Sequence, residues 1–415
     1  MIRSIHRLLA PFVLGLLVAA GRPAEPGPLG AVLQSAVDKH IVAGAVGFVA
    51  DKDHVLDLEA AGYSSLSAKT PMNPDNLFWI ASMTKSLTGT ALMMLVDEGK
   101  VSLDDPVEKY LPEFKGQMVA EDKDHPHPPK HPITVREIMD HTSGLIKAND
   151  PALKHPPTLQ EYVAQLPTFP LSQEPGTKYE YNNCGIDTGG RIIEVVSGMP
   201  YADFMQQRLF TPLAMKDSTF WPDVDLAKRL AYSAKTTNDK TGLEDAAMNR
   251  TDLSKIIAKF GRGHVIPTQI LDNFGGGIVP QYGNQYADPA GDLFSTATDI
   301  GRFCQMLLNG GSWKGKRYLS ETALKQMAAV QTGDVLVNPQ EGYGVGWFVK
   351  VKDAEGPAVG SYGHRGARKT CMWVDPTNQL VMVLMVQSWD MNGDQQKELY
   401  TSFFKGAVKK FGKKQ

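Results

Sequence analysis

The sequence FWIASMTKSL, residues 78–87, places a serine three positions ahead of a lysine inside an apolar stretch. Apolar residues recur at helical spacing after it, which predicts a helix that begins near Ser82 and ends near Glu98, with Gly99 as its C-terminal stop. Residues three apart lie on one face of a helix, so the Lys85 amine is expected within reach of the Ser82 hydroxyl. The pair is a candidate nucleophile and activator, because serine needs a base to attack a carbonyl at neutral pH.

The serine–lysine spacing alone is a weak signal, because it occurs by chance in many helices. A lysine accepts a proton only in its neutral form, so the pKa of a lysine base must fall from about 10.4 toward 7, a change of about 4–5 kcal/mol. Burial and a neighbouring phenol or cation must supply that change. From this stretch alone, two polar residues on an ordinary helix are the favoured interpretation.

A second candidate element is EPGTKYEYNNCG, residues 174–185, which follows a Pro-Gly turn and reads as a loop. Tyr181 lies two positions before Asn183. A tyrosine beside a lysine can share its proton and act as the immediate base, and an asparagine amide can hold a substrate carbonyl. For Tyr179, we favour a core tyrosine at a turn.

The third element is GHRG, residues 363–366, at the start of a predicted strand near the C-terminus. A glycine at a strand edge lets a substrate lie against the backbone, whose N–H groups can face a developing oxyanion. If residues 364–370 form a strand, Arg368 shares a face with His364, while Arg365 and Lys369 face the other side. Arg368 could then pair with a substrate carboxylate, and the alternative is an arginine on the surface rim.

The composition is that of an ordinary globular chain large enough for two sub-domains: 415 residues, 42% hydrophobic, with 39 Gly and 27 Pro. The net charge of -2 and the lack of a basic block before the last few residues argue against a nucleic-acid partner. Three widely spaced cysteines do not make a disulfide framework.

The N-terminal residues have the pattern of a secretory signal sequence. Arg3 and Arg7 precede an apolar run over residues 8–20, and small residues up to Ala24 suit signal-peptidase cleavage. We interpret residues 1–24 as a signal peptide, with an uncleaved anchor as the alternative. The mature chain is then expected in the periplasm or outside the cell, without stable membrane insertion.

The rest of the chain suggests an α/β body at both ends, about 25–100 and 290–415, with a helical insertion at about 101–289. At its start, the body is predicted from strands over 42–50 and 54–61, which pair across the Asp-Lys-Asp turn at 51–53. Toward the C-terminus, it is predicted from a helix over 296–311, a strand over 343–351, two strands about the Asp-Pro-Thr-Asn turn at 375–378, and a closing helix over 394–411.

Other histidines receive structural interpretations. His125, His127 and His131 lie among prolines, which favours an exposed loop over a metal site. His141, in the sequence DHTSGL, is predicted to be a buried, hydrogen-bonded residue beneath the site.

Taken together, the three elements resemble those of the serine hydrolases that comprise class C β-lactamases, D-Ala-D-Ala carboxypeptidases and family VIII esterases. The resemblance extends to three flanking segments and covers nearly all of the mature chain: ITVREIMDHTSGL (133–145), PGTKYEYNNCGIDTGGRIIEVVSG (175–198) and PAGDLFSTATDIGRFCQMLLNGG (289–311). It implies an α/β fold of the β-lactamase/penicillin-binding-protein type, a sandwich with an antiparallel sheet plus a helical domain, with the site between them.

The resemblance also implies a reaction and its residues. Ser82 attacks an ester or amide carbonyl, and Lys85 with Tyr181 passes its proton to the leaving group. Asn183 orients the acyl side, and the N–H groups of Ser82 and Ala367 form the oxyanion hole. His364, Gly366 and Arg368 complete the expected substrate-binding set, and the expected substrate is a small ester, amide or peptide. Neither a metal nor an organic cofactor is expected.

One departure bears on the substrate. Class C β-lactamases carry Lys-Thr-Gly at the third motif, whereas this chain has His364-Arg365-Gly366, which looks more like the peptidases and esterases. The nearby Lys369-Thr370 pair is followed by Cys371 instead of glycine, so we treat it as a decoy. A carboxypeptidase, a weak β-lactamase, and a non-catalytic receptor for cell-wall peptides or penicillin stay as alternatives.

Overall fold

The structure is a computed structural model, and it describes residues 27–122, 124–154, 156–246, 286–352 and 355–413. The predicted signal peptide lies outside these ranges. Among the residues that are described, no helix is both long enough and apolar enough to cross a membrane.

The described residues form an eight-stranded sheet in which every neighbouring pair is antiparallel. Its strands are β1 (Gly44–Ala50), β2 (Val55–Ser65), β3 (Thr70–Pro71), β10 (Glu341–Tyr343), β11 (Phe348–Lys350), β12 (Tyr362–Arg365), β13 (Cys371–Asp375) and β14 (Leu380–Val386). From one edge of the sheet to the other, their order is β10-β11-β12-β13-β14-β1-β2-β3.

Among the described residues, three short two-stranded ladders accompany this sheet, and five of the ten α-helices lie between residues 101 and 289. The ladders pair β4 (Phe78–Trp79) with β7 (Phe294–Ser295), β5 (Ala234–Thr236) with β6 (Leu243–Asp245), and β8 (Ser312–Trp313) with β9 (Lys316–Arg317). The helices are α1 (Pro28–Asp38), α2 (Thr84–Asp97), α3 (Val135–Met139), α4 (Leu159–Gln165), α5 (Asn183–Ser197), α6 (Tyr201–Met205), α7 (Val224–Ala227), α8 (Ala297–Leu308), α9 (Glu321–Ala328) and α10 (Gly393–Phe411).

Both faces of the central strands are covered, which explains their unbroken apolar sequences. Along β1, Val46 and Phe48 join the core beneath α2 and α8, whereas Ala45 and Val49 join the core beneath α1 and α10. Alternate side chains of a strand point to opposite faces, so a strand between two helical layers needs apolar residues throughout.

Several predicted elements are confirmed. The strands on either side of residues 51–53 pair as β1 and β2, the Asp-Pro-Thr-Asn turn joins β13 to β14, and the closing helix is α10. The helix predicted from Ser82 begins as a 3₁₀ turn over Ala81–Met83 and continues as α2. The three cysteines are free and buried.

Two strand predictions are wrong. The strand expected over 343–351 is the hairpin of β10 and β11, because the Gly344 N–H bonds the Trp347 carbonyl and closes a turn. The strand expected over 364–370 ends at Arg365. There the Gly366 N–H bonds the Thr370 carbonyl and starts the turn into β13. The alternation used to pair Arg368 with His364 therefore does not apply.

Candidate active site

Ser82 and Lys85 lie at the start of α2, where the backbone turns sharply. Ala81 has φ +46°, a left-handed conformation that is uncommon for a residue with a side chain. The following 3₁₀ turn carries Ser82, and the Lys85 Nζ donates to the Ser82 Oγ at 3.1 Å. The spacing of three residues thus produces the predicted contact.

The Lys85 amine is enclosed by protein. Lys85 is 0% exposed, and its Nζ also donates to the carbonyl oxygen of Ala290 at 2.7 Å. Throughout the described ranges, no carboxylate comes within ion-pair distance of this amine. The Ala290 carbonyl was not predicted, because a backbone oxygen 205 residues away leaves no signal in the sequence.

Tyr181 also lies beside the Lys85 amine. It belongs to residues 178–182, the chain directly before α5, which we call the Tyr181 segment. Tyr181 is 40% exposed, and the Lys85 Nζ lies 5.0 Å from the centroid of its ring. The structure therefore brings together the three residues predicted to carry the reaction.

The position of Tyr181 depends on its neighbour Asn182, which the sequence analysis missed. The Asn182 side chain caps α5 by accepting the Cys184 N–H, and its amide donates to the carbonyls of Leu145 at 2.7 Å and Ile146 at 2.9 Å. The preference for asparagine at N-caps is a signal that would have indicated it. Asn183, the predicted acyl-binding amide, is the first residue of α5 and is half-buried.

His364, the first residue of the third motif, is enclosed. It is 0% exposed, its Nε2 lies 2.9 Å from the Tyr343 hydroxyl, and its Nδ1 accepts the Arg365 N–H at 2.9 Å. Burial, and next the charge of Lys85, hold the pKa of His364 well below its usual range, so the ring is neutral. Its side chain is bonded within the protein and its ring centroid lies 6.4 Å from that of Tyr181.

Arg365 belongs to a buried ion cluster with Glu341. Its two guanidinium nitrogens bind the two Glu341 oxygens, and Lys350 donates to the same carboxylate at 2.9 Å. Burial by itself raises the pKa of Glu341, but Arg365 and Lys350 outweigh it and hold that pKa at about 2. The cluster ties β12 to β10 and β11.

Gly366 allows the turn after β12 to pack against the residues before Ser82. A Cβ at Gly366 would lie 2.4 Å from the Ile80 carbonyl oxygen, and Thr370 Oγ1 donates to the same oxygen at 3.2 Å. Exposed Ala367 follows Gly366 in this turn. Within the described part of the chain, neither the Ser82 N–H nor the Ala367 N–H has a protein acceptor, so both predicted oxyanion donors are available to a ligand.

Arg368 lies on the turn and stacks on tryptophans. Its guanidinium carbon is 3.9 Å from the ring centroid of Trp389 and 5.5 Å from that of Trp79. Trp79 precedes Ser82 by three residues, so Arg368 contacts the chain that leads into the Ser82 turn.

An open recess of about 510 Å³ adjoins the Tyr181 segment. Its walls are mainly apolar, and a 2.6 Å ion pair between Lys147 and Glu180 lies at its rim. Its apolar lining includes Leu145, Ile146, Phe169 and Leu171. In the described ranges, no group of three or more His, Cys, Asp or Glu is arranged to hold a metal ion.

The protein belongs to the β-lactamase family. The sequence model of that family, described as beta-lactamase, matches residues 29–404. The chain is 30% identical over 389 residues to Protein Rv1367c of Mycobacterium tuberculosis, covering 86% of this chain and 88% of that one. Curated relatives include proteins named as esterases and as D-alanyl-D-alanine carboxypeptidases.

A relative with a named substrate is the lovastatin esterase of Penicillium rubens. It is 33% identical over 219 residues, which cover 48% of this chain and 54% of that enzyme.

Among solved structures, EstCE1, described as a hydrolase with promiscuous acyltransferase activity, matches with a TM-score of 0.71 at 21% identity, covering 91% of this chain and 97% of that one. The β-lactamase/penicillin-binding-protein-like fold expected from the sequence is therefore confirmed.

Proposed function

We propose that this protein is a secreted or periplasmic serine hydrolase that cleaves a carboxylic ester or amide through an acyl-enzyme on Ser82. The observation that carries the proposal is the hydrogen bond between the enclosed Lys85 amine and the Ser82 hydroxyl, with the Tyr181 ring beside the same amine. A nucleophile bonded to a base that a third group supports is the arrangement that covalent catalysis requires.

In the acylation step, the Ser82 Oγ bonds to the substrate carbonyl carbon as its proton passes to Lys85 and Tyr181. The carbonyl oxygen becomes an oxyanion, which accepts hydrogen bonds from the N–H groups of Ser82 and Ala367. The tetrahedral intermediate then expels the alcohol or amine, which takes up the proton, and the acyl group stays on Ser82. Asn183 orients the acyl side.

In the deacylation step, water takes the place of the leaving group. Its proton passes to Lys85 and Tyr181 as its oxygen bonds to the acyl carbon. The intermediate expels the Ser82 Oγ, which recovers the proton, and the carboxylic acid departs. Each cycle consumes one water and leaves the side chains unchanged.

The proposed site lies between the two parts of the chain. Ser82 and Lys85 come from the α/β part, about 25–100 and 290–415, and Tyr181 comes from the helical insertion, about 101–289. We propose that an apolar acyl or leaving group extends from Ser82 toward the recess that Glu180, the neighbour of Tyr181, helps to line. The His364-Arg365-Gly366 motif supports an ester or peptide substrate over a β-lactam.

The experiment is a substrate panel on the mature chain. A fluorophosphonate probe tests for the nucleophile, and p-nitrophenyl esters of increasing acyl length, a D-alanyl-D-alanine peptide and nitrocefin test the three substrate classes. We expect labelling and the fastest turnover on an ester. Faster turnover of the peptide would identify a carboxypeptidase, and penicillin binding without labelling or turnover would identify a receptor.

The location is tested separately. The full chain expressed in a Gram-negative host should appear in the periplasm with a new N-terminus near Ala24, as measured by mass spectrometry. A product that retains Arg3 and Arg7 would contradict cleavage.

A further inference from the structure

His141 contacts the Tyr181 segment in three ways. Its carbonyl oxygen accepts the Glu180 N–H at 2.8 Å, its Nδ1 accepts the Asn182 N–H at 3.2 Å, and its ring centroid lies 4.5 Å from that of Tyr181. The backbone on both sides of Tyr181 is therefore bound to one residue, 41 positions before Asn182.

The backbone of His141 is strained. Its φ is +67°, a left-handed conformation that costs about 1–3 kcal/mol for a residue other than glycine and persists only where the surroundings require it. His141 is 2% exposed. An uncommon backbone conformation at a fully enclosed residue indicates a position on which neighbouring structure depends.

The ring of His141 is a neutral acceptor at Nδ1. Burial, and next the charge of Lys85, hold the pKa of His141 well below its usual range. A neutral ring whose Nδ1 accepts a hydrogen bond carries its proton on Nε2. The Nε2 has no hydrogen-bond partner among the described residues, and the ring packs against Tyr343, at 4.6 Å between centroids. Within the described ranges, the imidazole thus makes one hydrogen bond, to the Asn182 N–H.

We propose that His141 is a positioning residue that fixes the backbone on both sides of Tyr181 and so keeps the phenol beside the Lys85 amine. This inference rests on the proposed function, because the proton transfer through Tyr181 is part of it. His141 itself does not touch the substrate. Displacement of a reacting group by about 1 Å can cost on the order of 10² in rate, so loss of the bond to Asn182 should be visible in kcat.

The test compares two side chains of similar shape at this position. His141→Asn places an oxygen where Nδ1 lies, two bonds from Cβ, and asparagine tolerates the left-handed backbone. His141→Leu has nearly the same outline without an acceptor. We expect the leucine variant to lose about 10- to 100-fold in kcat, with KM changed little, and the asparagine variant to stay within about 5-fold of wild type. Equal losses in the two variants would overturn the proposal.

A double-mutant cycle separates positioning from a general loss of structure. In the Tyr181→Phe background the phenol is gone, so His141→Leu should cost less than about 3-fold more. A loss that stays undiminished in that background would show that His141 acts elsewhere. Should the leucine variant not fold, His141→Gly takes its place, because glycine adopts φ +67° without strain and lacks the acceptor.

Hydrogen exchange gives a readout that does not depend on turnover. The peptide that spans residues 178–184 should exchange faster in His141→Leu than in wild type, and near the wild-type rate in His141→Asn. Identical protection in all three proteins would overturn the proposal. Activity that survives Ser82→Ala would instead contradict the proposed function, and the exchange experiment would still decide the role of His141.

Discussion

The Ser82–Lys85 pair and the Tyr181 segment meet at one place but are held there in different ways. In the Ser82–Lys85 pair, a single turn of the chain sets the distance between the two residues, and the Lys85 Nζ donates directly to the Ser82 Oγ at 3.1 Å. The Tyr181 segment is extended chain before α5 that depends on bonds to His141, Leu145 and Ile146. Proximity within one turn costs little conformational entropy, whereas an extended segment must be fixed by distant partners.

The residues that support Tyr181 belong to the sequence DHTSGLI, residues 140–146. Gly144 shows why its sequence is constrained, because it has φ +73° and a Cβ there would lie 2.6 Å from the Gln173 carbonyl oxygen. Residues 140–146 and the chain at Gln173 therefore pack backbone against backbone. We expect changes in the local pair to affect chemistry alone, and changes in the distant supports to affect both chemistry and stability.

The largest effect is expected at Ser82. Ser82→Ala should abolish fluorophosphonate labelling and ester hydrolysis while the melting temperature stays near that of wild type, because a half-buried serine on a 3₁₀ turn loses little packing. Intact-mass spectrometry and thermal unfolding measure both. Labelling that persists would place the nucleophile elsewhere and leave the Ser82–Lys85 pair without a role in catalysis.

The relay residues come next. Lys85→Ala and Tyr181→Phe should each lower kcat by on the order of 10² or more, as expected for loss of a positioned acid or base. The double variant should be worse than either one by much less than the product, because the two residues act as a unit. Losses that multiply in full would mean that the two regions work independently.

Glu341, which binds Arg365 of the third motif, should make the free energy of unfolding depend on pH. The pKa of Glu341 is about 2 in the folded protein against an ordinary value of 4.5. Since the unfolded chain binds the proton first, the stabilisation is complete above about pH 4.5 and is lost as the pH falls toward 2. Glu341→Gln should therefore lower the free energy of unfolding by on the order of 3 kcal/mol at pH 7, and by less at pH 3.

Urea unfolding at the two pH values measures this difference. The matched control is Glu398→Gln, which breaks the exposed ion pair with Lys39 and should change the free energy of unfolding by less than about 1 kcal/mol at either pH. The same loss at pH 3 and pH 7 for Glu341→Gln would contradict the ionic origin of its contribution.

The smallest effect is expected at Arg368. If its guanidinium, stacked on Trp389, pairs with a substrate carboxylate, Arg368→Ala should lower kcat/KM for a carboxylate-bearing ester by about 10-fold, which corresponds to about 1.4 kcal/mol, and leave a neutral ester of similar size unchanged. Equal losses on both esters would indicate that the arginine only supports the tryptophans at the rim.

The features that depend on short spacing could be predicted from the order of the residues alone. The spacing of three positions from Ser82 to Lys85 determines one helical face, the apolar runs before and after residues 51–53 determine a hairpin, and the motif set determines the family. These predictions succeeded because helix and strand periods are local properties of the backbone.

The features that depend on groups far apart in the chain could not be predicted before the fold was known. The end of β12 at Arg365 follows from the bond between Gly366 and Thr370, and the turn after it packs against the Ile80 carbonyl. Strand propensity could not anticipate that turn, because it reflects packing against cross-strand neighbours rather than the backbone alone. Backbone carbonyls such as that of Ala290 carry no side-chain signal, so the enclosure of Lys85 and the support of Tyr181 by His141 appear only when the chain is folded.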